Sequence, residues 1–303
     1  MVKSPLRFPG GKSRGLKQIT PLIPDFAEYR EPMVGGGSVF LFLRQRYPDR
    51  RYWINDLNYE LYCFWKVLQE QPEALVEVVS AIKARTTDGR KLFYELVEQY
   101  GQGTPFERAV RFFVLNRITF SGTVDSGGYS EQAFRGRFTW SAINALKQVA
   151  PLLKGVRITC GDYEPVVMEE GAGVLIFLDP PYYSVAKSRL YGKRGELHLQ
   201  FDHERLARVL QQCPHRWLLT YDDSPYIRQL YEGYYQSRWK LQYGMNNYKQ
   251  PRARAGNELF LSNYPLAPAR SQQLTLVMER AEPCTASRNE AASAGSLQLE
   301  HPA

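Results

Sequence analysis

The apolar run Val174-Leu175-Ile176-Phe177-Leu178 is introduced by Gly171 and Gly173 and closed by Asp179-Pro180-Pro181-Tyr182. A run that is apolar at every position predicts a strand buried on both faces, as in a parallel sheet covered by helices. The two prolines end it, since neither donates to a ladder and each fixes its own φ. They make a stiff turn at the carboxyl end of a strand, where open α/β sheets hold their ligands. The turn brings together a carboxylate, a proline carbonyl and an aromatic face. Such a set suits a flat ring bearing an amino group, with acceptors for the N–H groups and Tyr182 for the ring face. The four letters alone also fit an ordinary loop, with Asp179 opening a turn and Tyr182 packed on the surface. Their place after a buried strand favours the site.

The amino-terminal stretch holds two glycine-rich turns. Arg7-Phe8-Pro9-Gly10-Gly11-Lys12 precedes a helix candidate at Leu16 to Ile23, and Glu31-Pro32-Met33-Val34-Gly35-Gly36-Gly37-Ser38-Val39-Phe40 leads into the apolar run Val39 to Leu43. Consecutive glycines let the backbone approach a ligand, and a helix start offers N–H groups. Tyr52 to Asp56 reads as a short strand ending in an acid. An acid there, about 20 residues after the glycines, is where nucleotide-binding βαβ units grip ribose hydroxyls. Capping of the next helix is the alternative for Asp56.

A chain of 303 residues accommodates one large α/β domain, or a core domain with an insertion. The formal net charge of +8 suggests a polyanionic partner, a solvated basic surface being the plainer reading. No segment reads as a membrane span or a signal core. Cys63, Cys160, Cys213 and Cys284 are scattered, as are the histidines, so no metal site and reduced thiols in a cytoplasm are expected.

Helical patterns at Leu61 to Leu68, Glu73 to Lys83, Leu92 to Tyr100 and Phe106 to Asn116 precede a polar, glycine-rich segment from Ser121 to Phe138. Its aromatics and arginines suit an exposed hairpin or loop that enters a DNA groove, a solvated surface loop being the alternative. Strand and helix then alternate again: Arg157 to Cys160, ending at Gly161-Asp162-Tyr163; the buried strand Val174 to Leu178; a helix through Leu210; Trp217 to Tyr221; and Glu258 to Tyr264. Asp202-His203 invites a catalytic dyad, but an N-cap aspartate explains it better. Beyond Tyr264 the composition predicts a disordered tail.

In this order the segments resemble the Dam-type DNA adenine-N6 methyltransferases. The residues that carry the resemblance are Arg7 to Lys12, Glu31 to Phe40, Asn55-Asp56, Leu115-Asn116-Arg117, Phe120-Ser121-Gly122, Asp179 to Tyr182, and Asn257 to Tyr264. They span roughly residues 1–265. The resemblance implies an α/β fold, a Rossmann-like class I methyltransferase sheet with an inserted, mainly helical target-recognition domain carrying a hairpin or loop. It implies a discontinuous S-adenosylmethionine-binding catalytic domain (residues 1–58 and 159–265) and a DNA target-recognition domain (59–158); the tail that composition predicts to be disordered (266–303) lies outside it.

By the same resemblance, Phe8, Lys12, Gly35, Gly37, Ser38 and Val39 contact S-adenosylmethionine. Asp56 holds its ribose, Asp162 and Tyr163 frame its adenine, and Asp179 borders it. Asp179, Pro180 and Tyr182 hold a flipped-out adenine as the catalytic set. Arg7, Asn116, Arg117, Ser121, Arg135 and Arg137 contact double-stranded DNA. Met33 stands where the family often has Phe, a soft apolar replacement. A cognate restriction endonuclease is compatible with this core, as is a solitary enzyme, and the oligomeric state is open. The same turn would serve RNA adenine, cytosine-N4 or a glutamine amide, and an inactive DNA-binding regulator would share the fold.

Overall fold

The computed structural model describes residues 1–124, 127–183, 201–242 and 255–266. Val174–Leu178 is a strand buried at every residue, β4 in chain order. Leu175 and Phe177 enter one hydrophobic cluster, and Val174, Ile176 and Leu178 enter another. This two-sided burial is what makes the run apolar throughout.

The other strands are β1 (Glu28–Glu31), β2 (Arg51–Asp56), β3 (Arg157–Cys160), β5 (Arg216–Asp222), β6 (Tyr235–Gln242) and β7 (Ala255–Ser262). They form a seven-stranded sheet in the order β3-β2-β1-β4-β5-β7-β6. Neighbours are parallel except where β7 runs against β5 and β6. The expected class I methyltransferase sheet is present. Strand order reverses between β1 and β4, so the carboxyl ends of these two strands open the crevice where such sheets bind ligands.

β1 and β6 escape the apolar pattern. β1 is Glu-Tyr-Arg-Glu, yet Arg30 and Glu31 are buried. The Arg30 guanidinium donates to the carbonyls of Val166, Glu169 and Glu170 and to Glu28, so internal partners replace its hydration. β6 is an edge strand on which Trp239 and Leu241 are the buried apolar residues.

Amino-terminal to the insertion lie the helices α1 (Leu16–Ile19) and α2 (Ser38–Arg46). The expected Leu16–Ile23 helix is shorter, passing at Thr20 into a 3-10 turn that contains Pro21. Residues 59–158 are mainly helical, as expected: α3 (Tyr59–Glu70), α4 (Pro72–Arg85), α5 (Gly89–Glu98), α6 (Pro105–Ile118), α7 (Glu131–Arg137) and α8 (Trp140–Val149). Asn58, Asp88, Ser130 and Thr139 cap α3, α5, α7 and α8, and Thr104 with Glu107 forms a capping box on α6. Phe64, Trp65, Phe112 and Phe113 share one core with Val39, Phe40 and Ile54, so these helices are fused to one face of the sheet.

The segment expected as a hairpin or loop divides in two. Phe120–Gly122 is a 3-10 turn, and an isolated antiparallel bridge pairs Thr119 with Tyr129; residues 125 and 126 lie outside the described residues. Glu131–Arg137 is helix α7 instead, held by the Ser130 cap, the Glu131–Arg135 pair and burial of Ala133. The glycines of this stretch hid that helix. His203–Gln212 is a helix with Asp202 as its N-cap, accepting from the Arg205 N–H at 2.8 Å, which accounts for Asp202-His203 without a dyad. The expected tail falls, from residue 267 onward, outside the described residues. No helix among the described residues is long and apolar enough to cross a membrane.

Candidate active site

β4 delivers Asp179 to the crevice between β1 and β4. Two groups aim its carboxylate: the buried Lys12 Nζ at 2.7 Å and the Thr220 hydroxyl, which donates to Oδ1 at 2.8 Å. Pro180 is buried behind it. The Tyr182 hydroxyl donates to Glu258 Oε2 at 2.8 Å, its ring lies 6.1 Å from that of Tyr221, and Lys12 Nζ stands 4.9 Å from its centroid. The next residue, Tyr183, donates its backbone N–H to Asp222 at 2.8 Å and stacks on Tyr226 at 4.4 Å. Lys12, from the first glycine turn, meets Asp179 and Tyr182 of the strand-end turn here.

The glycine turn sits beside this group at the end of β1. Gly35 and Gly37 have positive φ, 46° and 64°, and Gly37 is the N-cap of α2, whose first residues are Ser38 and Val39. The Phe8 ring lies against the turn so closely that a Cβ on Gly35 would come within 2.7 Å of it. Asp56, at the end of β2, accepts from the Gly35 N–H at 2.9 Å and the Asn58 N–H at 3.0 Å. Helix α3 is capped by Asn58, so Asp56 is not its cap. Burial raises the Asp56 pKa above its ordinary value, opposed by these backbone hydrogen bonds.

Glu31, at the end of β1, is a further buried acid that sequence reasoning did not single out as a site residue. It accepts the Tyr29 hydroxyl at 2.6 Å and the Phe40 N–H at 3.0 Å. Burial pushes its pKa up to about 8; the Tyr29 hydrogen bond opposes this, and the charge of Asp179 reinforces it.

Asp162 and Tyr163 follow β3 but differ in setting. Asp162 is paired with Arg205 through two hydrogen bonds of 2.7 and 2.9 Å. Burial would raise its pKa, but the Arg205 hydrogen bonds bring it below the ordinary value. Tyr163 is buried in the second core cluster, its ring 6.0 Å from Phe201 and under the Arg205 guanidinium. Met33 packs against the same cluster.

Arg7, Arg117 and Arg137 converge on a separate surface. Arg7 donates to the Thr119 carbonyl at 3.1 Å; Arg117 donates to the carbonyls of Arg137 at 2.8 Å and Pro5 at 3.1 Å. Burial, with the charges of Arg7 and Arg137 acting in the same direction, lowers the Arg117 pKa to about 10. Asn116 is fully buried: its amide accepts from the Arg7 N–H at 2.9 Å and donates to the carbonyls of Arg7 and Gly122 at 2.7 and 3.0 Å. Gly122, at φ 77°, is needed there, because a Cβ would lie 2.3 Å from the Arg7 carbonyl oxygen. Ser121 adopts φ 59°, and beside it Phe120 is 61% exposed. Arg135 stands apart from this cluster, paired with Glu131 on the exposed side of α7. Among the described residues, no group of His, Cys, Asp or Glu is gathered as for a metal ion.

A family model for the D12 class N6 adenine-specific DNA methyltransferases matches residues 8–245, which takes in Phe8 to Lys12, the second glycine turn, Arg117, Arg137 and the Asp179 turn. The chain belongs to that family. Among similar proteins, the type II methyltransferase M.MjaIII of Methanocaldococcus jannaschii is 29% identical over 258 residues, 77% of this chain and 89% of that protein. The DNA N-6-adenine-methyltransferase of Escherichia phage P1 is 26% identical over 76% of this chain, which spans 31% of that longer protein. A DNA adenine methylase of Vibrio cholerae is 23% identical over 75% of this chain and 84% of its own length.

Sequence reasoning for this D12 methyltransferase passed over Thr220, Glu258, Glu31 and Phe120 as site residues. Thr220 and Glu258 lie inside strands and read as core. The exposed Phe120 comes after a helix end and a threonine, a place where an aromatic has no local reason to be; that was the available signal.

Proposed function

We propose that this DNA adenine-N6 methyltransferase draws its methyl group from S-adenosylmethionine and acts on an adenine turned out of duplex DNA into the crevice between β1 and β4. The observation that carries the reading is the Asp179–Tyr182 turn at that crevice, with its carboxylate aimed by Lys12 and Thr220.

The residues beside the turn suit the methyl donor. Gly35 leaves the place of a side chain to the Phe8 ring, and the N-terminal end of α2 favours a carboxylate. Asp56 is fixed by two backbone N–H groups and is an acceptor suited to ribose hydroxyls. Phe8, Lys12, Gly35, Gly37, Ser38, Val39 and Asp56 would hold the donor, with Asp162 and Tyr163 framing its adenine. When bound, S-adenosylmethionine supplies an electrophilic methyl group on a sulfonium sulfur.

The chain's own residues do the rest. Asp179 and the Pro180 carbonyl accept hydrogen bonds from the amino group of the target base, which favours a more pyramidal nitrogen with its lone pair available. Acceptors aimed before the reaction stabilise the positive charge that grows on that nitrogen. Tyr182 stacks on the base and helps offset the cost of extruding it, roughly a few kcal/mol. Arg7, Arg117 and Arg137 suit phosphates, Asn116 fixes the Arg7 backbone from within, and the Phe120 ring is placed to fill a stack from which a base has left. Ser121 borders the exposed Phe120, and Arg135, already paired with Glu131, would contribute less. Residues 59–158 act as the target-recognition part. A prokaryotic or phage setting, in the cytoplasm where DNA is accessible, agrees with the sources of the relatives.

The test is transfer of labelled methyl groups from S-adenosylmethionine to duplex DNA, RNA and protein side by side. The wild-type chain labels adenine in duplex DNA, and Asp179→Ala abolishes transfer while it still binds the donor. Labelling of cytosine, RNA or protein instead moves the target, and an active Asp179→Ala removes the role of the turn.

A further inference from the structure

The catalytic turn is held from outside by β5 and β7. Thr220 donates to Asp179, Asp222 accepts the Tyr183 N–H, and Glu258 accepts the Tyr182 hydroxyl. Asp222 and Glu258 stand directly opposite each other in the antiparallel β5–β7 register, and both are buried, Glu258 completely. Their positions make sense in terms of the turn: opposed residues of neighbouring strands hold the consecutive residues Tyr183 and Tyr182.

We propose that Glu258 is a positioning residue for methyl transfer, which fixes the plane of the Tyr182 ring by accepting its hydroxyl. The inference rests on the base-holding role proposed for the turn. A tyrosine ring has a broad χ2 range, so contacts at its edge alone leave its tilt loosely set. The hydroxyl oxygen lies on the χ2 axis, so its bond to a strand flanked by β5 and β6 fixes the far end of the ring; because a phenol O–H prefers the plane of its ring, the fixed direction of the acceptor also sets the tilt. The glycine turn and Asp56 belong to β1 and β2, on the far side of β4 from β7, and Tyr182 meets the donor's residues through Lys12, so the tether acts on the target base far more than on donor binding.

The experiment uses the full chain, a duplex carrying the motif that the wild type methylates, and the same duplex with 2-aminopurine at the target position. Tyr182→Phe and Glu258→Leu each lower kcat about tenfold, while the Kd for S-adenosylmethionine changes less than about threefold. The double variant is no slower than the slower single, because both remove one bond. Glu258→Gln retains an acceptor and recovers most of the rate. In both slow single variants, the fluorescence of bound 2-aminopurine departs from the wild-type value in the same direction. The proposal is overturned if the two losses multiply, if Tyr182→Phe keeps the wild-type kcat, or if donor affinity falls in step with kcat. Should Glu258→Leu fail to fold, Tyr182→Phe and Glu258→Gln decide by the same criteria. A wild-type chain that methylates no DNA adenine overturns the base-holding role and the proposal together; normal wild-type activity with an unaffected Tyr182→Phe overturns the proposal alone.

Discussion

Asn116→Ala should destabilise the fold and weaken DNA binding, although the asparagine is completely buried. Its amide makes three hydrogen bonds, two to the Arg7 backbone and one to the Gly122 carbonyl. The alanine leaves one N–H and two carbonyls without these partners. Gly122 is buried, so its carbonyl bears most of the penalty; Arg7 is half-buried and its backbone regains part of its hydration. The sum is roughly 2–4 kcal/mol, at about 1 kcal/mol for each bond and somewhat more for the group left buried. In a unit of this size that lowers Tm by on the order of 10 °C. Asn116→Asp is the sharper variant, since one carboxylate oxygen keeps the Arg7 N–H while the other faces two carbonyls. Thermal unfolding by circular dichroism gives the stability term, and anisotropy of a labelled duplex gives the binding term. An Asn116→Ala protein with wild-type Tm and impaired DNA binding would overturn the buried-scaffold role and make Asn116 a direct DNA contact.

Glu31→Gln should remove a pH dependence: burial holds the native carboxyl at about 8 against an ordinary 4.5, so the native state holds the proton longer. This stabilisation is complete below about pH 4.5 and is lost as pH rises to about 8, at up to roughly 1.4 kcal/mol per pH unit; urea midpoints of the two proteins compared across that window, with a constant difference, would contradict it. Gly35→Ala should cost about 1–3 kcal/mol, because φ is 46° and its Cβ meets the Phe8 ring at 2.7 Å; isothermal titration should show weakened S-adenosylmethionine binding, and unchanged affinity would remove Gly35 from that site. Arg137→Ala should weaken DNA binding and flatten its salt dependence by about one unit of slope, whereas Arg135→Ala, already paired with Glu131, should do less; equal slopes for both variants would contradict the arginine cluster.

What could be read from the letters depended on burial and capping. β4 was legible because both of its faces are covered, which makes every residue apolar. Four of the helices of 59–158, α3 to α6, were legible from their helical apolar pattern. β1 was hidden because Arg30 finds its partners in a distant segment, Val166 to Glu170, and Glu31 is satisfied by the Tyr29 hydroxyl and the Phe40 N–H. α7 was hidden because local capping and a single ion pair outweigh its glycine-rich setting. In the site, Lys12, Asp56, Asp179 and Tyr182 stood out as polar or aromatic residues at strand ends or glycine turns. Thr220 and Glu258 lie within strands, and their partnership with the turn arises only from the β4-β5-β7 order, which no local pattern encodes.

Adenine methylation of DNA through the Asp179 turn can be measured inside a cell. The chain is expressed in cells that lack adenine methylation, and their genomic DNA is sequenced by a single-molecule method that detects N6-methyladenine. N6-methyladenine is expected at one short motif in cells carrying the wild type and nowhere in cells carrying Asp179→Ala. Unmodified DNA from cells that contain the folded, donor-binding wild-type protein, or modification that survives Asp179→Ala, would contradict this assignment.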